Sequence, residues 1–505
     1  MPTVVRDLMS APVVTCEAGT SLAGAARTMR DAGMGSVIVT ERGKVAGILT
    51  ERDLLRAAAA ATAASAETVE MWMTANPDVL GPEEEVDAAW TSLAHHQYRH
   101  LPVVDGDRLV GVVSLRDLMG VARLRPVEEH GTEVPAGLEG VVAAETALGD
   151  VRGEEGFFHY RQHSAVDLAA RRSLEDVWYL LLEGELPDRA QARRFAAEVA
   201  ALRTLAPGLA AMMPEVAARG TPFEVLRTAV SLLGAELGWR PTLDIDSTEL
   251  RAQALALCAV VPTIMATAYN LGAGRAVVEP RADLASAANY LWMVTGSEPT
   301  PSQARAVEQY QILTIDHGFN ASTFTARVIT STGADLAAAV CGAIGALSGP
   351  LHGGAPGRVL DMLDEIAIAE RAEPWLRAAV GRGDRVMGFG HRVYKTDDPR
   401  SLFLLDVARS LGGPLVDLAE QVEERALEVL AEMKPGRRLL TNVEFYACVV
   451  MSCCGLPREM FTPTFAAGRA IGWSAHVLEQ AAHNRLIRPA ARYTGPPPPV
   501  PVPDP

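Results

Sequence analysis

An internal repeat in the first part of the chain is the feature that most limits how the sequence can fold. Residues 47–54 recur as residues 111–118, an offset of 64 positions, and residues 37–39 match residues 101–103 at the same offset. Each copy contains a short apolar run, a turn with a glycine, a second apolar run and then a segment with helical periodicity. Two copies of one supersecondary unit can bury their apolar faces against each other. We therefore predict an N-terminal α/β module built from two similar units.

Each copy also carries a hydroxyl at the start of its helix and a carboxylate three residues later. These pairs are Thr50 with Asp53, and Ser114 with Asp117. One interpretation is structural, because a hydroxyl and an acid at this spacing cap a helix N-terminus. The other is functional, because the same groups can hold the phosphate and ribose of a nucleotide. The repeat resembles a tandem pair of CBS domains over residues 1–122, which implies a regulatory module that binds an adenine nucleotide, AMP or ATP, through these four residues.

The composition excludes several classes of function. The net charge of −16 argues against nonspecific binding to nucleic acid or to an anionic membrane. The six cysteines form no CxxC pair, which indicates reduced thiols and neither a disulfide framework nor a zinc site. No secretory signal is visible. The uncharged segment 252–274 contains Gln253, Pro262 and Asn270, so we expect a buried core helix with its exit turn and no membrane span. These features predict a cytoplasmic protein.

The rest of the chain predicts a second, predominantly α-helical region. Residues 123–137 mix charges with proline and glycine and are interpreted as a linker between domains. Residues 495–505 are rich in proline and are expected to form an extended, disordered tail. Between them, residues 138–494 show almost no strand alternation. Helical patterns are clearest over residues 187–204, 249–270, 282–295 and 401–432.

Four short polar segments interrupt these apolar helices. They contain His317, His352, His391 and Glu444, respectively. His317 and His352 could simply be satisfied polar residues at helix ends, and the segment with His391 could be a basic surface loop before an amphipathic helix. Thr441 with Glu444 has the spacing of a capping box. No histidine pair here has the i, i+4 spacing of a helix-borne zinc site, so no metal is predicted.

The third polar segment, residues 388–400, is the most informative. Two glycines allow a tight bend just before His391. Asp398 and Pro399 then have the cap and first-position preferences of a helix start. Arg400 would lie in the first turn, where an anion meets both a guanidinium and the helix N-terminus. His391 and Arg400 could therefore converge on one molecule that carries a carboxylate.

Taken together, these segments resemble the citrate synthase family from residue 137 to residue 495. Residues 388–400 fit the family signature at every constrained position, and residues 465–473 and 487–489 also match. The resemblance implies a mainly α-helical fold with large and small helical domains, the small one at about 357–462, preceded by the α/β CBS module. It also implies a homodimer or higher homo-oligomer, and no metal or redox cofactor. The implied reaction condenses acetyl-CoA with oxaloacetate and hydrolyses the citryl thioester to citrate and CoA, a step of the tricarboxylic acid cycle.

The resemblance also implies a role for each site residue. The base would be Glu444, His352 would donate to the thioester carbonyl, and His391 would polarise the ketone of oxaloacetate. The family usually has Asp at the base position, so Glu444 is a departure, and its extra methylene moves the carboxylate by roughly a bond length. The implied substrate-binding residues are His317, Asn320, Arg400, Arg469 and Arg488, the last supplied by the partner subunit.

Two alternatives remain open at this point. A 2-methylcitrate synthase would use propionyl-CoA, which differs by one methylene in the acyl pocket. A sensor of nucleotides and CoA esters with a low-activity catalytic half would retain the same site residues.

Overall fold

The chain divides into two compact units, residues 1–141 with 490–505, and residues 142–489. The predicted linker falls largely outside the described residues, as do residues 497–505 of the proline-rich tail. The small domain expected at about 357–462 stays a prediction. The computed structural model describes residues 4–59, 67–85, 100–114, 136–138, 140–349, 352–353, 356–391, 393–491 and 493–496.

The first unit confirms the repeat. In each copy two antiparallel strands form a hairpin, and Ser36 pairs with Thr50 as His100 pairs with Ser114, 64 residues later. Even the irregularity recurs, because the register shifts after Val39 in one hairpin and after Val103 in the other. The strands are β1 (Thr15–Glu17), β2 (Ser36–Glu41), β3 (Lys44–Thr50), β4 (Thr74–Ala75), β5 (His100–Asp105) and β6 (Arg108–Ser114), with helices α1 (Leu22–Ala32) and α2 (Glu51–Ala59).

Close packing explains two repeated residue types. A side chain at Gly47 would collide with Met73, and one at Gly111 would collide with Met9. Each methionine therefore packs on the glycine of the other copy, where only a residue without a Cβ leaves room. This exchange ties the two copies into one module.

The second unit is helical, as predicted, and surrounds a single large apolar core. Its longest helix, α8, is long and apolar enough to cross a membrane, but 78% of its most apolar window is buried inside the unit, as expected for a core helix. The helices described in this unit are α3 (Ala165–Arg171), α4 (Leu174–Glu183), α5 (Arg189–Ala201), α6 (Pro207–Ala217), α7 (Pro222–Glu236), α8 (Ser247–Gly272), α9 (Ser286–Thr295), α10 (Pro301–Thr314), α11 (Ala321–Ser331), α12 (Leu336–Leu347), α13 (Pro356–Ile366), α14 (Ala372–Arg382), α15 (Pro399–Leu411), α16 (Pro414–Met433), α17 (Val443–Cys453) and α18 (Phe461–Ala482).

Two details differ from the sequence-based expectation. The helical pattern 401–432 is two helices, because Gly412 and Gly413 have positive φ values of 67° and 112° and Pro414 starts α16. A small antiparallel sheet also precedes the helices, in the order β7-β8-β9. Its strands are too short to show a clear alternation: β7 (Gly149–Arg152), β8 (Phe157–Tyr160) and β9 (His163–Ser164).

Candidate active site

One cavity of about 250 Å³ in the second unit brings the four polar segments together. Arg400 and Glu444 lie in the first turns of α15 and α17, His317, Asn320, His352 and His391 lie on segments between helices, and Arg469 lies within α18. Arg488 is exposed on the segment after α18 and does not line this cavity, so its assignment to a partner subunit's site stays a prediction. The lining residues are His317, Asn320, His352, Arg385, Met387, Gly390, His391, Arg400, Asn442, Val443, Glu444, Phe465 and Arg469.

Arg400 is held by a buried carboxylate that the sequence had suggested only as a helix cap. Asp398 does cap α15, since its Oδ1 accepts from the Arg400 backbone N–H at 3.0 Å. The same carboxylate also accepts from the Arg400 guanidinium, Nε to Oδ1 at 3.0 Å and Nη2 to Oδ2 at 2.8 Å. Asp398 Oδ2 further accepts from the backbone N–H of Val443 at 3.1 Å. Asp398 therefore fixes Arg400 and ties α15 to the start of α17.

His391 presents a proton to the cavity. Its Nδ1 accepts from the backbone N–H groups of Val393 and Tyr394, both at 2.9 Å, so a neutral ring carries its proton on Nε2. Burial and the charge of Arg400 lower the pKa of His391 to about 4, which keeps the ring neutral near pH 7. Nε2 lies 3.2 Å from Arg400 Nη2, so two donors face each other. An acceptor oxygen on the cavity side of the pair, within hydrogen-bond distance of both nitrogens, would satisfy both donors; a ketone or carboxylate oxygen can do this.

His317 lies beside this pair. A 3.0 Å hydrogen bond joins its Nε2 to the Tyr394 hydroxyl, and its ring meets that of His391 edge to face at 5.7 Å. Burial, followed by the charges of Arg400 and His391, holds the pKa of His317 well below its usual value. His317 is therefore a neutral hydrogen-bonding group and adds no charge to the site.

The ring proton of His352 is on Nδ1, whereas that of His391 is on Nε2. Its Nε2 accepts from the backbone N–H of Ser322 at 3.3 Å and lies 2.9 Å from the Ser322 hydroxyl. That hydroxyl donates to Asn320 Oδ1 at 2.8 Å, and Asn320 caps α11 by accepting from Thr323 N–H. Because Nε2 is an acceptor, Nδ1 carries the ring proton. Burial and Arg469 lower the pKa of His352 to about 4, so the ring is a neutral donor.

Glu444 contributes a carboxylate to the lining of the cavity, and this carboxylate forms no ion pair with the described residues. The residue lies in the first turn of α17 and is half-buried. Burial raises its pKa to about 7, while the charge of Arg400 opposes that rise. A carboxylate whose pKa is near the working pH suits a general base.

The expected Thr441 capping box is wrong. Asn442 caps α17, with its Oδ1 accepting from the Glu444 backbone N–H at 3.0 Å. Its amide nitrogen donates to the Gly390 carbonyl at 3.0 Å, so Asn442 also ties α17 to the His391 bend. The Thr441 hydroxyl has no partner in the described residues. The Glu444 carboxylate is thus left facing the cavity and not used for capping.

Arg469, on α18, completes the cationic side of the cavity. Its Nε donates to the Thr314 carbonyl at 2.7 Å, and its guanidinium lies 4.6 Å from the centre of the Phe465 ring. No carboxylate among the described residues lies within 4 Å of it, although burial lowers its pKa and the charge of Asp316 opposes this. Its terminal nitrogens are available to a carboxylate ligand.

Several residues line or support the site although the sequence analysis gave them no role in it. Asp398, Ser322 and Tyr394 act through contacts with residues distant in sequence, and Arg385 is an exposed cation at the cavity. The pairing of Asp398 with Arg400 could have been anticipated, since only Pro399 separates the two at a helix start.

In the first unit, Asp53 shows the capping arrangement. Its Oδ2 accepts from Thr50 N–H at 2.8 Å and from the Thr50 hydroxyl at 2.7 Å, and its Oδ1 pairs with Arg56. Ser114 ends β6, and Asp117 lies outside the described residues. The nucleotide-binding assignment stays a prediction.

Comparison with known families decides what this site belongs to. The citrate synthase C-terminal domain matches residues 137–490, and the CBS domain matches residues 5–60 and again residues 67–123. The chain belongs to the citrate synthase family. Both the family and the tandem CBS pair predicted from sequence are confirmed, and the second unit has the citrate synthase fold.

Individual members of this family are also similar to the chain over most of their length. A citrate synthase of Deinococcus radiodurans is 38% identical over 72% of this chain and 96% of its own length. A 2-methylcitrate synthase of Mycobacterium tuberculosis is 38% identical over 73% of this chain and 93% of its own. The structure of Thermotoga maritima citrate synthase matches with a TM-score of 0.64 at 34% identity, covering 73% of this chain and 97% of that one.

A liganded structure is also similar. Citrate synthase from Thermoplasma acidophilum, in a ternary complex with carboxymethyl coenzyme A and oxaloacetate, matches with a TM-score of 0.68 at 27% identity and covers 74% of this chain and 98% of that one. Family and fold together make this citrate synthase family member an acyltransferase that forms a carbon–carbon bond.

Proposed function

We propose that the chain condenses acetyl-CoA with oxaloacetate and then hydrolyses citryl-CoA to citrate and CoA. The observation that carries this proposal is the composition of one cavity. The cavity is lined by a carboxylate with a pKa of about 7, by two buried arginines and by two neutral histidines. One histidine donates from Nδ1 and the other from Nε2. Deprotonation of a weakly acidic methyl group needs such a base together with a donor at the oxygen where charge develops.

In the first step Glu444 removes a proton from the acetyl methyl group, and His352 Nδ1–H donates to the thioester oxygen. The resulting enol carbon attacks the ketone carbon of oxaloacetate, forming the new C–C bond. The C=O π bond of the ketone breaks, and its oxygen, stabilised by the donors His391 Nε2–H and Arg400, becomes the hydroxyl by taking up one proton, which balances the proton that Glu444 removed. Arg469 pairs with a substrate carboxylate. Water then attacks the thioester, the C–S bond breaks, and the sulfur of CoA leaves with a proton.

The extra methylene of Glu444 is compatible with this role. The backbone of α17 is fixed at two points, by Asn442 to the Gly390 carbonyl and by Val443 N–H to Asp398. The longer side chain therefore starts from a defined position. We expect Glu444→Gln to lower kcat by about 10²- to 10⁴-fold. Glu444→Asp keeps the charge and is expected to retain more activity than Glu444→Gln. Equal rates for wild type and Glu444→Gln would remove Glu444 from the mechanism.

The identity of the acyl substrate is the second candidate question. The 2-methylcitrate synthase relative and the citrate synthase relative are each 38% identical to this chain, so similarity does not separate acetyl-CoA from propionyl-CoA. An assay of CoA release with the two thioesters side by side tests both. A higher kcat/KM with acetyl-CoA supports the proposal, and a higher value with propionyl-CoA favours 2-methylcitrate synthesis. Release with neither would favour the sensor of nucleotides and CoA esters.

We further propose that the CBS pair binds AMP or ATP and alters the condensation rate or substrate affinity. Support comes from the matched CBS domains and from the hydroxyl and the acid three residues later in each copy of the repeat. Titration of each nucleotide into wild type and into an Asp53→Ala/Asp117→Ala variant tests it. A response in wild type that the variant lacks is expected; flat curves for both would contradict it. The same proposal includes a cytoplasmic homodimer or higher homo-oligomer that needs no metal or redox cofactor for condensation.

A further inference from the structure

A buried chain of polar side chains lies behind Arg469 and takes no direct part in the proposed chemistry. His476, on α18, hydrogen bonds to Asp316 through Nε2 at 3.2 Å and to Arg327, on α11, through Nδ1 at 3.2 Å. Asp316, His476 and Arg327 are all at least 97% buried. Burying a carboxylate and a guanidinium is costly unless both are paired or hydrogen bonded, so their arrangement needs a reason beyond packing.

The partners of Arg327 fix the state of His476. Arg327 Nη1 donates to His476 Nδ1, which therefore carries no proton, and also pairs with Glu479 at 2.6 Å. Arg327 Nε donates to Gln480 Oε1 at 3.0 Å. With Nδ1 acting as an acceptor, the ring proton is on Nε2 and is donated to Asp316 Oδ1. The histidine is thus a neutral ring with one defined donor.

Asp316 and Arg469 are near each other but are not paired. The charge of each affects the pKa of the other, yet no ion pair joins them, and the Arg469 Nε donates instead to the Thr314 carbonyl. Two opposite charges that lie close together in a buried site attract strongly. The Asp316 carboxylate must therefore be held in place if the guanidinium is to stay open. It accepts from the backbone N–H of His317 and from the side chain of His476, and His476 is the side-chain donor.

We propose that His476 is a positioning residue that holds Asp316 away from Arg469 and so leaves the Arg469 guanidinium free for a substrate carboxylate. This inference rests on the proposed function, in which Arg469 binds oxaloacetate. The nearby negative charge of Asp316 compensates the buried guanidinium without occupying its donors. Loss of the hydrogen bond from His476 lets Asp316 turn to Arg469 and compete with the substrate.

A matched pair of amide variants separates positioning from packing. In His476→Gln the amide nitrogen can reach the place of Nε2 and donate to Asp316, while its oxygen can accept from Arg327. In His476→Asn the shorter amide stays near Arg327 and does not reach Asp316. We expect the KM for oxaloacetate to rise roughly 10- to 100-fold in His476→Asn and to stay within about threefold of wild type in His476→Gln. The KM for acetyl-CoA should change little in either variant.

Two further measurements distinguish a loss of oxaloacetate binding from a loss of folding. Calorimetric titration of oxaloacetate without acetyl-CoA reports binding independently of turnover, and thermal melting reports folding. The double variant Asp316→Asn/His476→Asn should recover most of the oxaloacetate affinity, because a neutral amide does not form an ion pair with Arg469. Should His476→Asn not fold, Asp316→Asn alone provides the test. Its oxaloacetate affinity should stay within about threefold of wild type although its stability falls.

The outcomes are distinguishable. Equal oxaloacetate affinity for folded His476→Asn and wild type would overturn the positioning role while leaving the proposed function intact. A loss of affinity in Asp316→Asn, or in the double variant as large as in His476→Asn, would also overturn it. Absence of oxaloacetate binding by the wild type would overturn the proposed function and this inference together.

Discussion

At two helix starts in this chain a buried aspartate pairs with a nearby arginine, but the two pairs have different surroundings. Asp53, at the start of α2, pairs with Arg56, and Asp398, at the start of α15, pairs with Arg400. Both aspartates are buried, but the Arg56 side chain is 68% exposed and that of Arg400 only 4%. In the first pair the arginine is a surface partner of a cap. In the second it is a desolvated cation that lines a cavity.

The two pairs differ in the hydrogen-bond partners of the aspartate, and this difference separates a capping pair from a pair that lines a site. Asp53 is satisfied by groups from its own helix start, by Thr50 and by Arg56. Asp398 additionally accepts from Val443, on a helix 45 residues away in sequence. That long-range contact ties the pair to the start of α17, where Arg400 and Glu444 line the same cavity. A charge in such a place interacts with ligands far more strongly than one in water.

The largest effect that distinguishes the pairs should come from removing each arginine. Arg400→Gln is expected to lower kcat/KM for oxaloacetate by roughly 10²- to 10³-fold, because a buried charge-assisted contact to the substrate is lost. Arg56→Gln, assayed without nucleotide, should stay within about twofold of wild type, since exposed ion pairs contribute little. Steady-state kinetics of both variants measures this. Arg400→Lys, which keeps the charge but loses the forked geometry, should fall between them; equal effects of the two Gln variants would refute the contrast.

Removing each aspartate should separate the pairs in stability. Asp398→Ala leaves a buried guanidinium unpaired and should cost about 3–5 kcal/mol of unfolding free energy. Asp53→Ala removes a cap and an exposed partner, with an expected cost of about 1 kcal/mol. Because the two substitutions lie in different compact units, scanning calorimetry should show Asp398→Ala shifting the transition of the catalytic unit and Asp53→Ala that of the CBS unit. Similar shifts from both substitutions would contradict the comparison.

The pH dependence of the rate should report the burial of Arg400 through Glu444. Burial raises the pKa of Glu444 to about 7, and the charge of Arg400 restrains the rise. Below this pKa the base is protonated, so kcat/KM should fall about tenfold per pH unit. His352 and His391, with pKa values of about 4, stay neutral over that range. In Arg400→Gln the fall in kcat/KM should begin at a higher pH, because the charge that lowers the pKa of Glu444 is lost. Arg56→Gln should leave the pH of this fall unchanged.

The same shift predicts a stability effect of defined sign. An acid with a raised folded-state pKa binds more protons when folded, so its contribution to stability falls as the pH rises from about 4.5 to 7. Glu444→Gln should therefore gain stability relative to wild type across this window. A pH-independent difference in unfolding free energy would contradict the raised pKa.

Much of this site could be predicted from sequence, and the limits have physical causes. The helix start at Asp398, the bend at His391 and the hairpins of the repeat depend on local preferences that a short window contains. The sequence allows a cap of α17 at Thr441 as well as at Asn442, because Thr and Asn both favour that position, and only the contact of Asn442 with Gly390 decides between them. The second bond of Asp398, to Val443, depends on how two helices pack, which no local pattern encodes.

The smallest effect concerns one hydroxyl in each region. Tyr394 hydrogen bonds to His317 at 3.0 Å beside the cavity, and Thr50 hydrogen bonds to Asp53 at 2.7 Å. Tyr394→Phe keeps the ring against Arg400 and removes only a neutral hydrogen bond of about 1 kcal/mol, so kcat/KM should fall about three- to tenfold. Thr50→Val should cost a similar free energy in the stability of the CBS unit and leave the rate unchanged. Kinetics and calorimetry on both variants measure the two effects. If Tyr394→Phe lost stability but no activity, the hydroxyl would be a packing contact like that of Thr50, and the boundary between site and scaffold would run between His317 and Tyr394.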